Sequence, residues 1–112
     1  MRDEKAIAFF EQVKSKTEQG RIPWEPTAVE SDYAAAIGGE FTVTIRRVDH
    51  SNGLSSFGLI LRDASSRVVV SVWEDMDGVD ARQLSELFDL VTRQASRVHE
   101  KLDRVLSVLE RL

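Results

Sequence analysis

Cysteine is absent from the 112 residues. That excludes disulfides, thiolate metal sites and a cysteine nucleophile, and it fits a reducing compartment. Proline occurs twice, at Pro23 and Pro26, and histidine twice, at His50 and His99. No apolar run approaches the roughly 20 residues of a membrane span. The opening MRDEKAIAFFEQVK is charged from residue 2 and holds no stretch long enough for a signal-peptide core. The expectation is a cytoplasmic protein without membrane contact. Positive charge is in deficit too: 15 Lys and Arg against 19 Asp and Glu give a net charge of −4. Phosphate backbones draw on clustered positive charge, so nucleic acid is not the expected partner.

Catalytic signatures are also missing. No G-x-S-x-G, P-loop or dinucleotide fingerprint occurs. The tripeptide Asp49-His50-Ser51 is not a triad, because that geometry needs side chains converging from separate elements. The acidic stretch Glu74 to Asp80 suggests calcium but has the wrong spacing. Placing Gly78 sixth in an EF-hand loop puts Trp73 first and Leu84 twelfth, and neither ligates. The stretch reads instead as a helix start, with Asp80 as N-cap and Gln83 completing a capping box. No enzyme, cofactor or metal is expected.

What is present reads as one α+β domain over residues 1–112, large enough to bury a core. Residues 1–20 form a first helix, with Ala6, Phe9, Phe10, Val13 and Thr17 on one stripe and Gly20 as the stop. Pro23 and Pro26 stiffen the connector that follows. Trp24, lying between them, is either an anchor for a partner or an aromatic that closes the core, and packing inward is the expectation. Residues 32–73 alternate as a four-stranded antiparallel meander. Its inner face is expected to carry Phe41, Val43, Ile45, Phe57, Leu59, Leu61, Val68, Val70 and Val72, with both helices on that face.

Gly38-Gly39 suggests a two-residue hairpin turn, which sets Ala36 opposite Phe41 and Ala34 opposite Val43. On that register Tyr33, Ile37, Ile60, Val69 and Trp73 share the outer face with Arg46 and Arg62 and form a candidate partner-binding patch. A register shift of one residue exchanges the faces.

Residues 80–112 carry the strongest pattern. Leu84, Phe88, Val91, Ala95, Val98, Leu102, Val105, Leu109 and Leu112 step alternately by four and three, a heptad seam uninterrupted by Pro or Gly. Arg93, Arg97, Lys101 and Arg104 line up on the same helix. Asp89 and Glu100, each four residues before an arginine, mark that side as a solvated face. A globule of this length is roughly 34 Å across, whereas such a helix is about 50 Å long. Its end should overhang. The expected homodimer interface is Val98, Leu102, Val105, Leu106, Leu109 and Leu112.

The turn Gly20-Arg-Ile-Pro-Trp24, the strand opening at Tyr33, the short sheet and the long last helix together resemble a loosely defined group of small uncharacterised bacterial proteins. That resemblance implies a bacterial or phage cytosolic protein and supplies no activity and no site residues. The function expected is a non-enzymatic, dimeric protein-interaction module: a regulator, adaptor or immunity-type protein. The alternatives are an export chaperone, similar in size and in its acidic pI of about 5.2, and a small-molecule-binding domain or hydrolase using the space between sheet and helices, with His50 as its proton-transfer group.

Overall fold

The computed structural model describes residues 4–74 and 79–112, with the side chains of residues 97–99 outside the description. Helix α1 (Glu4–Glu18) leads into a short strand β1 (Glu25–Pro26). Strands β2 (Asp32–Ile37), β3 (Phe41–Asp49), β4 (Ser55–Arg62) and β5 (Val68–Trp73) follow, and helix α2 (Ala81–Arg111) ends the chain. The sheet is an antiparallel meander in the order β1-β2-β3-β4-β5. It has five strands rather than the expected four. Pro23 and Pro26 keep the connector extended, and it pairs with β2 through Glu25 and Ala34 and through Pro26 and Tyr33. No described helix is long and apolar enough to cross a membrane.

One core cluster joins both helices to one set of alternating sheet residues. Ala6, Phe10 and Val13 come from α1, and Leu84, Leu87, Phe88, Val91 and Ala95 from α2. Ala35, Val43, Ile45, Leu59 and Val72 come from the strands. Trp24 closes this core at 1% exposure. Its indole nitrogen donates to Thr17 Oγ1 at 3.0 Å. The backbone carbonyl of Thr17, in the last turn of α1, accepts from Gln94 Nε2 of α2 at 2.7 Å. One buried residue thus ties α1, the connector and α2 together.

The hairpin register departs from the two-residue expectation. Ile37 pairs with Phe41 and Ala35 with Val43, leaving Gly38, Gly39 and Glu40 as a three-residue loop. Gly38 and Gly39 both take positive φ, of 63° and 77°. The one-residue shift exchanges the faces of β2. Tyr33 and Ile37, expected outside, pack against the core instead. The Tyr33 ring meets Phe88 of α2 at 5.7 Å between centroids. Burying Tyr33 and Ile37 removes far more apolar surface from water than burying Ala34 and Ala36. Val68 also differs from expectation. A bulge between Leu61 and Arg62 pairs it with Arg62, and it is 56% exposed.

Helix α2 starts on the expected capping box. Asp80 Oδ1 accepts from the Gln83 backbone at 2.8 Å, and Gln83 Oε1 accepts from the Asp80 backbone at 3.2 Å. The helix then runs unbroken for 31 residues, about 46 Å at 1.5 Å per residue. It stretches the molecule to 58 × 36 × 26 Å and the radius of gyration to 15.4 Å, above the about 13 Å of a compact chain this long.

A Thr17→Val substitution keeps the side chain's shape but leaves a buried indole N–H unpaired. It should lower unfolding free energy by about 1–3 kcal/mol, read from the urea midpoint, whereas Thr17→Ser should cost less.

Candidate functional site

Three places are candidates for a site, and their geometries separate them. The loop at His50 is the first. His50 Nε2 lies 2.7 Å from Ser56 Oγ, while Asp49 Oδ1 accepts from Ser55 Oγ at 2.6 Å and lies 3.2 Å from Arg47 Nε. These contacts staple the ends of β3 and β4. They are exposed, and the carboxylate is turned to a serine and an arginine rather than to the imidazole. The arrangement is that of a hairpin closure, not of an activated nucleophile.

The outer sheet face is the second. With Tyr33 and Ile37 on the helix side, Ile60, Val69, Trp73, Arg46 and Arg62 remain of the candidate patch. Arg46 is engaged: its guanidinium grips Asp32 through three contacts of 2.8–3.1 Å, and Asp32 is 4% exposed. Ile60 is buried. Trp73 lies across Gly58 of the neighbouring strand, so closely that a Cβ built on Gly58 would sit 2.7 Å from three of its ring atoms. The indole therefore rests flat on the sheet, and glycine is what gives it room. Among the described large hydrophobic residues of this region, Val68 and Val69 stand exposed, at 56% and 55%. What remains is a small patch at one sheet edge.

The free half of α2 is the third. The heptad seam divides near Ala95. Leu84, Phe88, Val91 and Ala95 are at most 5% exposed and belong to the core. Every residue from 100 to 112 is exposed. Leu102, Val105, Leu106, Val108 and Leu109 stand at 51–57%, and Leu112 at 94%. On a helix these six fall on one side together with Lys101, which lies beside Val108, and Glu100, Asp103, Arg104, Ser107, Glu110 and Arg111 lie around the rest. Of the six interface residues expected from the sequence, five are described here as exposed. The side chain of Val98 lies outside the described set. Val108, a seventh apolar residue of this stretch, belongs with them on its exposure.

A cleft of about 460 Å³ adds a feature that sequence spacing does not show. It lies between α1, the connector and the β2–β3 hairpin, lined by Phe9, Val13, Ile22, Pro23, Ile37, Phe41 and Leu61. Its charged lining residues, among those described, are Lys16 and Arg21. Residues 75–78 of the acidic stretch lie outside the described residues.

No protein family, curated protein or solved structure matches the chain.

Gly58→Ala should displace the Trp73 indole from the sheet. The expected cost is about 1–3 kcal/mol of stability, together with a red-shifted tryptophan emission as Trp73 becomes wetter. An unchanged spectrum and urea midpoint would contradict this packing.

Proposed function

We propose that the protein is a non-enzymatic interaction module that self-associates through the outer half of α2. The observation that carries this reading is the exposed seam itself. The helix continues past the body with its apolar side chains in register and half exposed or more among the described residues. A solvated tail has no need of a heptad, whereas a helix awaiting another helix does. With both helices laid on one face of the sheet, the opposite face offers a lesser surface, since Arg46 is held by Asp32 and Trp73 by its seat on Gly58.

The energetics set the expected strength. The six apolar side chains are each half exposed or more, so covering them returns on the order of 1 kcal/mol apiece. For two copies the sum is comparable with an association cost of about 4–15 kcal/mol. At the low end of that cost the surplus is about 8 kcal/mol, so the dimer is micromolar at its tightest rather than obligate.

Light scattering across that range should show the wild type passing from monomer to dimer. Leu102→Glu with Leu109→Glu should leave it monomeric at every concentration. Because those residues touch none of the core, the urea midpoint measured at low protein concentration should stay within about 0.5 kcal/mol of wild type. A wild type that is monomeric at hundreds of micromolar would refute the proposal.

A second reading, binding of a small apolar anion, is favoured by the cleft alone. Its volume falls within the usual range for ligand sites, and the described charges around it are both positive. On this reading dodecanoate titrated into the protein gives saturable heat that Leu61→Glu removes. The absence of heat at millimolar concentration would dismiss it.

A further inference from the structure

We infer that two copies pair through their free α2 ends in antiparallel orientation, about a two-fold axis at Ser107. This rests on the self-association reading and fixes its geometry.

The first constraint is steric. The seam that faces solvent beyond residue 100 continues the seam that faces the sheet in the first half of the helix. A straight helix drifts only about 20° per heptad, so the exposed stripe points to the side on which the body lies. Paired helices keep their axes about 8–10 Å apart. In a parallel pair, both bodies would have to occupy the gap between the two helices at the same level. The molecule measures 26 Å along its thinnest axis, so the gap cannot hold them. An antiparallel pair sets the bodies at opposite ends, each beyond the other's tip.

The second constraint is the pattern of side chains flanking the seam. In the heptad that places Leu102 and Leu109 at position a and Val105 and Leu112 at d, Leu106 falls at e and Val108 at g. Antiparallel pairing brings e against e and g against g. With Leu102 layered on Leu112 of the second copy and Val105 on Leu109, Leu106 meets Leu106 and Val108 meets Val108 on either side of the axis. Both flanks are then apolar where they meet. Parallel pairing would instead bring g against e, setting Lys101 beside Leu106 of the second copy.

Charge opposes this arrangement weakly. Asp103 and Glu110 lie on one flank, and Lys101, Arg104 and Arg111 on the other, so like faces like across the pair. Most of these sit at outer, exposed positions, where water and salt screen them. Exclusion of one body by another outweighs them.

The cysteine-free chain makes the test direct. Ser107→Cys and Arg93→Cys, each at an exposed position, accept one nitroxide label per copy for pulsed dipolar distance measurement. In the antiparallel pair, labels at 107 should lie roughly 20–30 Å apart across two helices. Labels at 93 are offset by a further about 42 Å along the axis and should lie roughly 50 Å apart. Similar short distances at both positions in a dimer would overturn the orientation while leaving self-association intact. A long distance at 107 in a dimer would overturn the interface. A monomer by light scattering at the labelling concentration would overturn both this inference and the reading beneath it.

Discussion

The fold turns on the hydrogen bonds at Thr17. Its hydroxyl takes the indole proton of Trp24, and its carbonyl, in the last turn of α1, takes a proton from Gln94. A helix terminus leaves its last carbonyls without intrahelical partners. Here one of those carbonyls holds a residue 77 positions away. The contact fixes the place at which α2 departs from the body, one residue before Ala95, the last core residue of its seam among the described residues. Up to that point the helix is held by sheet, α1 and connector. Past residue 100 all its side chains are exposed.

The same repeat therefore does two jobs. In its first half the seam supplies Leu84, Phe88, Val91 and Ala95 to the core, with Phe88 set between Tyr33 and Phe57 at 5.7 and 5.5 Å. The guanidinium of Arg47 lies 5.5 Å over that ring as well, the geometry of a cation–π contact. The first half thereby anchors a rigid lever. In the second half the described residues of the same spacing, from Leu102 to Leu112, stand exposed. The capping box at Asp80 and the lack of Gly or Pro keep the two halves one rod.

How much of this was legible in the sequence follows from the kind of signal each part carries. The long helix, its cap and its overhang rest on periodicity and length, which are local and additive. The inward packing of Trp24 follows from a large aromatic at a chain reversal between two prolines. The faces of β2 hang on a single integer, the number of residues in the Gly38-Gly39-Glu40 loop, and the Gly-Gly pair alone does not set it. Apolar weight held the answer: Tyr33, Ala35 and Ile37 outweigh Ala34 and Ala36 as a buried set. Strand β1 gives no signal in the sequence because two residues carry no period. The bulge beside Arg62 was hidden because Val68, Val69 and Val70 look alike from either face. The cleft between α1 and the hairpin is a property of packing, and no spacing announces it.

The sheet's margins bear on what kind of assembly such a chain can make. One margin is β1, two residues long and ending in a proline that has no amide hydrogen to offer. The other is β5, irregular at its first residues where the bulge falls. Neither presents the long, flat ladder that recruits further strands without limit. Growth by strand addition is discouraged at both margins, and the helical rod is the route left open. In the pairing proposed above, two rods satisfied by one another leave no unsatisfied end, so that assembly closes as a pair rather than running on into a fibre.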